Sequence, residues 1–167
     1  MLTKWLLPVA AIVLVTICAV AQPVSAGHTA IVYDSINTVL FSEILSEMGI
    51  DCNIERTPSG RPYISFRHQD VKTVAFLYDQ IEDTDSYESL LLYASWSLNT
   101  ADKPSLSVIN EWNSDNRWVR LYLDSVNDPC VDMDLLLNGG VTLSNIKNVI
   151  NRFVTVANVF KGELLGN

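Results

Sequence analysis

The stretch Arg117-Trp118-Val119-Arg120-Leu121-Tyr122-Leu123-Asp124 is followed, across the turn Ser125-Val126-Asn127-Asp128-Pro129, by a second alternating run from Val131 to Leu137. Val119, Leu121 and Leu123 fall on one side of an extended chain, and Trp118, Arg120, Tyr122 and Asp124 on the other. In the second run Val131, Met133 and Leu135 alternate with Asp132 and Asp134. Matching the two apolar faces makes odd residues oppose odd and even oppose even, which fixes the parity of a hairpin and leaves its register open. Any such register puts Arg120 and Tyr122 on the face of Asp132 and Asp134. The residue types there read most simply as a cross-strand charge pair. The sharper reading is a carboxylate set, Asp124, Asp132 and Asp134, for metal-dependent hydrolysis; against it, Arg120 is a ready partner for these acids and no His lies nearby to complete a ligand set.

Upstream, Pro104 suits the first turn of a helix through Leu106, Ile109 and Trp112, with Asn110 and Asn113 near its end, where their amides tie the helix to the next strand. Downstream, Gly139-Gly140 gives the backbone freedom for a sharp passage into a last helix capped by Thr142, with a stripe of Leu143, Ile146, Val149, Ile150, Phe153, Ala157 and Phe160. A Gly-Gly before a helix also suits an anion cradle, but the longer phosphate motifs are absent and turn geometry explains it.

Asn110-x-Trp112-Asn113, Arg117-Trp118-x-Arg120-x-Tyr122-Leu123-Asp124, Asp134 and Gly139-Gly140-Val141 together resemble the signature of the YbjN family, whose description is "Putative bacterial sensory transduction regulator". The resemblance is densest over residues 106–160 and weaker over 34–98. It implies a fold similar to type III secretion chaperones, an antiparallel sheet with helices packed on it, and a regulatory or protein-binding role without established catalytic residues. The family more often has Phe where Trp118 stands. A cysteine pair that some exported relatives carry around the third and fourth strands is not found here, so no disulfide is carried over.

Earlier in the chain, Ser35 is placed to cap a helix with Ile36, Leu40, Phe41, Ile44, Leu45 and Met48 at spacings of three and four, ended by Gly49. Core packing accounts for its wide apolar face, which includes Val39; a homodimer seam is the alternative. Ile50–Thr57, Tyr63–Phe66 and Thr73–Tyr78 read as strands joined by hairpin turns, and residues 81–86 as a loop. Residues 87–98 fit a central strand or a helix starting near Tyr87. The expected architecture is α+β, ordered α-β-β-β-β-α-β-β-α, with an antiparallel sheet of five to six strands and about three helices.

Met1–Ala26 has Lys4, an apolar run from Trp5 to Ala21, and Val24 and Ala26 placed for cleavage after Ala26, the layout of a secretory signal peptide. The apolar run is short for a membrane anchor, and Ile17 before Cys18 argues against a lipoprotein. One domain is then expected over 27–167, periplasmic or secreted and without a membrane association after cleavage. The formal charge is −8, and the only charged residue in 1–26 is Lys4, so the remainder is one unit more negative. Nucleic acid is an unsuitable partner, because phosphate binding needs a cationic face and no Lys/Arg cluster is present.

Beyond the leader, Cys52 and Cys130 form an even pair for an oxidising compartment, either bonded or two isolated thiols. His28 and His68 lie in no metal or triad spacing, and no nucleophile elbow, phosphate loop or paired CxxC occurs. The expectation is a non-enzymatic domain, with no cofactor or metal, that binds an unknown protein through Trp118, Arg120, Tyr122, Asp132 and Asp134, an aromatic and arginine set beside acids of the kind found at interface hot spots. A small-molecule sensor with a pocket between sheet and helices is a further alternative.

Overall fold

The computed structural model describes residues 30–165, so the proposed leader Met1–Ala26 and His28 lie outside the described residues. The elements run β1 (Val32–Tyr33), α1 (Thr38–Glu47), β2 (Cys52–Arg56), β3 (Pro62–His68), β4 (Val71–Gln80), β5 (Tyr87–Ser95), α2 (Leu106–Asp115), β6 (Arg120–Leu123), β7 (Pro129–Leu136), β8 (Val141–Thr142) and α3 (Leu143–Phe160). Six strands form one antiparallel sheet in the order β2-β3-β4-β5-β7-β6, and β1 pairs with β8 in a separate ribbon. The α+β class and the expected element order hold, with the β1–β8 ribbon as an addition.

The β3–β4 hairpin has a local cause. Gln69 and Asp70 both adopt positive φ, +46° and +63°, which is the two-residue turn whose twist suits the β3–β4 pair. Residues 87–95 are a strand, seated between β4 and β7. Its continuous apolar start arises because Leu90 and Leu92 point into the core while Leu91 and Tyr93 are half-buried on the opposite face.

α1 starts later than expected. Ile36 exchanges two backbone hydrogen bonds with Tyr87, each 2.8 Å, which hold it extended, so the cap is Asn37, whose Oδ1 accepts from the Leu40 N–H at 2.9 Å. Gly49, at φ +72°, ends the helix as read from sequence. For α2 the cap is Ser105, so Pro104 precedes the helix instead of opening it. For α3 the cap is Thr142, accepting from the Asn145 N–H at 3.2 Å.

Among the described residues, α1, α2 and α3 lie on one side of the sheet. Phe41 of α1 meets Phe66 edge-on, and Phe160 of α3 receives Trp96 and Trp112 at ring-centre distances of 5.2 and 5.8 Å. Ile64, Leu77, Leu92, Leu121 and Val131 face Phe153 and Ile150 in the same core. Val154, outside the stripe read from sequence, is also fully buried. Burying each large side chain contributes roughly 1.5–3 kcal/mol. At the passage into α3, Gly139 and Gly140 have φ of +89° and +95°, and a Cβ on Gly140 would stand 2.7 Å from Val32 Cγ1. Gly140 is therefore required twice, by its backbone angle and by the approach of β1.

Candidate functional site: the open face and edges of the sheet

Strand alternation that sends one set of side chains into the core sends the other to a face that no helix among the described residues covers. Tyr63 on β3, Val74 and Phe76 on β4, Leu91 and Tyr93 on β5, and Tyr122 on β6 lie there, half-buried and outside the core cluster. Tyr63, Phe76 and Tyr93 follow one another across the strands at ring-centre separations of 5.7 and 6.3 Å. Leu136 on the same face is 64% exposed. Polar residues share this face, among them Glu55, Ser65, Asp132 and Asp134, as a solvated antiparallel face ordinarily requires, but Tyr63, Phe76 and Tyr93 make a continuous aromatic run across its middle.

The β6–β7 register opposes Arg120 to Asp132 and Tyr122 to Cys130, within the parity read from the sequence. Arg120 donates from Nε and Nη2 to the two Asp132 oxygens at 3.1 and 2.6 Å. The Asp132 side chain is 3% exposed and that of Arg120 69%, so the carboxylate is covered while the guanidinium spreads over the surface, 5.2 Å from the Tyr122 ring centre. The hydrogen bonds from Arg120 to Asp132, followed by their charge attraction, raise the Arg120 pKa further above its ordinary value. Burial, and then the negative charge of Asp132, push the Tyr122 phenol up to about 12. Tyr93 is likewise raised, first by burial and then by its contact with Cys130.

Two of the five expected surface residues do not join this pair. Trp118 has φ +86°, which breaks the alternation before β6 begins, and its ring leaves the Arg120 face to lie under Arg152 of α3 at 4.2 Å and Arg117 at 4.9 Å. It is 57% exposed. Asp134 is on the open face but exposed, directly opposite Leu91 on β5. Nor do the three aspartates converge: the Asp124 Oδ1 accepts from the Val126 and Asp128 N–H groups at 2.9 and 2.8 Å, organising the hairpin turn, and Asp132 is held by Arg120. Among the described residues no group of three or more His, Cys, Asp or Glu is placed to hold a metal ion.

Two further signature residues, Trp112 and Asn113, have structural tasks. Trp112 is buried against Phe160, and its indole N–H donates to Glu163 at 3.1 Å. Asn113 donates to the Leu121 carbonyl at 2.9 Å and accepts from the Leu121 N–H at 3.0 Å, so one carboxamide satisfies both outward backbone groups of Leu121 in the edge strand β6. The expected amide tie from helix to strand is thus made by Asn113, whereas Asn110 is exposed.

Cys52 and Cys130 are both free. They occupy β2 and β7, separated in the sheet by β3, β4 and β5, which at ~4.8 Å per strand spacing puts them about 19 Å apart. A disulfide needs Cα atoms within about 7 Å. Burial holds the Cys130 thiol above its ordinary pKa, against the opposing effect of its 3.2 Å contact with the Tyr93 hydroxyl.

Among the described residues no helix is long and apolar enough to cross a membrane. A cleft of about 600 Å³ opens at one end of the sheet, where Arg61 lies 4.9 Å over the Tyr78 ring beside Arg56 and Gln80.

The arrangement is that of a helix-backed antiparallel sheet whose signature residues secure one edge and whose other face presents aromatic side chains. The chain belongs to the YbjN family, described as "Putative bacterial sensory transduction regulator", which it matches over residues 39–165. No curated protein and no solved structure matches it.

Proposed function

We propose that this YbjN-family chain is an exported, non-enzymatic protein-binding domain, a regulator or chaperone-like adaptor of the bacterial envelope, and that its partner seats on the helix-free face of the sheet. The observation that carries this reading is the run of Tyr63, Phe76 and Tyr93 with Val74 and Leu91 where polar residues would ordinarily meet water. The bidentate Arg120–Asp132 pair at the side of that run supplies a fixed polar group for orientation. The leader-like layout of Met1–Ala26 supports the envelope location.

Proximity labelling in bacterial cells, with the full chain fused to a labelling enzyme, tests the reading. Phe76→Glu is expected to lose the neighbours that the unsubstituted chain labels, while Val159→Glu, on the exposed side of α3, keeps them. Circular dichroism of both variants confirms folding. Neighbours unchanged by a folded Phe76→Glu would remove the sheet face from the account.

The cleft at Arg61 and Tyr78 favours a second reading, a small-molecule sensor for anionic ligands, since its volume lies in the range of ligand sites. Thermal-shift screening with carboxylate and phosphate compounds tests it: a ligand-dependent rise in Tm lost in Arg61→Ala supports sensing there.

A further inference from the structure

The two edges of the six-stranded sheet are treated differently. At β6, Asn113 occupies both outward backbone groups of Leu121. At β2, the Thr57 N–H donates to the Arg61 carbonyl at 2.9 Å, so Thr57 faces β3. Backbone directions alternate along a strand, so Asn53 and Glu55 also face β3, and the N–H and C=O groups of Cys52, Ile54 and Arg56 point away from the sheet. Among the described residues no side chain bonds those groups.

Edges are ordinarily protected by charge, proline or a bulge. β2 has Ile54 at its centre, 52% exposed, and no proline. Its two charged residues are turned to their own sheet. The Glu55 carboxylate accepts from the Tyr63 hydroxyl at 2.8 Å and from the Ser65 hydroxyl, and Arg56 Nη1 donates to the Gly60 carbonyl at 2.8 Å. Neither is left to repel an approaching strand.

We propose that β2 pairs antiparallel with β2 of a second copy about a two-fold axis at Ile54, joining the two sheets into one. An axis perpendicular to the sheet preserves the face on which each side chain lies, so even residues must oppose even. Centring on Ile54 engages all three outward-facing residues: Ile54 meets itself and Cys52 meets Arg56. Asn53 then opposes Glu55, an amide beside a carboxylate, whereas centring on Glu55 would oppose two carboxylates. The strand is self-complementary in hydrogen bonds and in side chains, which is what selects a second copy over an unrelated strand. The inference stands apart from the sheet-face reading, because pairing at this edge leaves the aromatic faces of both copies on the same open side.

A five-residue ladder is small beside the ~1,200 Å² at the lower end of stable interfaces, so dissociation in the micromolar range is expected. Opposed residues in a hydrogen-bonded antiparallel pair have Cα atoms about 5.5 Å apart, within disulfide reach. The full chain carrying Ile54→Cys and Cys52→Ser, expressed in bacteria and oxidised, is expected to give a disulfide-linked dimer on non-reducing gels. Asn53→Cys in the same background faces Glu55 and is expected to give at least five-fold less. Sedimentation of protein purified from cells expressing the unsubstituted chain should show a concentration-dependent dimer, weakened at least ten-fold by Ile54→Lys, whose charge would meet its own copy at the axis. An unsubstituted protein monomeric at about 100 μM, a dimer indifferent to Ile54→Lys, or equal cross-linking from both cysteine positions would each overturn the proposal.

Discussion

Replacing Asn113 by alanine removes a carboxamide that makes two backbone hydrogen bonds, at 2.9 and 3.0 Å, to the single residue Leu121. Each is half-buried, and a net contribution of about 1 kcal/mol per bond predicts a loss of about 2 kcal/mol. That is roughly a thirty-fold change in the folding equilibrium. With a urea dependence of about 1.5 kcal/mol per molar, the unfolding midpoint should fall by about 1.3 M while the slope stays unchanged. Asn113→Asp sharpens the test, because a carboxylate can accept from the Leu121 N–H but cannot donate to its carbonyl. At neutral pH Asn113→Asp is expected to be as damaging as the alanine variant, and to recover part of the loss in acid, once the protonated side chain regains a donor. Losses under 0.5 kcal/mol in Asn113→Ala, or no recovery of the aspartate variant in acid, would refute the view that this amide secures the β6 edge.

At Trp118 the φ of +86° strains a bulky residue while the ring is 57% exposed, so Trp118→Gly is expected to change stability by less than about 0.5 kcal/mol, and Trp118→Val to be less stable than the glycine variant by more than about 1 kcal/mol, both by denaturant titration. Alkaline titration followed by phenolate absorbance should show Tyr122 ionising near pH 12, with its phase removed in Tyr122→Phe. Because the folded value lies above the ordinary 10, the stability this neutral phenol contributes is complete below pH 10 and lost as pH rises towards 12, so Tyr122→Phe should flatten the alkaline fall in stability over that window. A thiol reagent applied to a chain beginning at residue 27 should label half-exposed Cys52 promptly and buried Cys130 only on unfolding. A count of zero thiols in the unfolded, unreduced chain would contradict the free pair.

What was legible in the sequence follows from period. The alternation of Val119, Leu121 and Leu123 against Val131, Met133 and Leu135 gave the hairpin and its parity, because a two-residue period allows only one apolar face. The stripe of α3 and its Thr142 cap were equally readable, as were Gly49 and the Gly139-Gly140 turn. Register was not, since it depends on how Asp124 folds the intervening turn through the Val126 and Asp128 N–H groups. Alternation places Trp118 on the wrong face because a left-handed backbone residue leaves no trace in a polarity pattern when it is not glycine. The start of α1 shifted from Ser35 to Asn37 through a bridge to Tyr87, a partner distant in sequence. The open aromatic face is not legible as a unit in the sequence: Tyr63, Phe76 and Tyr93 come from three separate strands, and only the sheet order brings them side by side.

The ribbon between β1 and β8 ties the first strand of the described chain to the launch of its last helix, with Val32 opposite Thr142. Synthesis runs from the N-terminus, so β1 waits for its mate until almost everything else has been made, and the helix that supplies Ile150, Phe153 and Phe160 to the core arrives with that mate. A chain cut short before α3 would have its sheet assembled but its greasy side bare. Such fragments would be marked for quality-control proteases by their own incompleteness, and only a finished molecule can hide the mark.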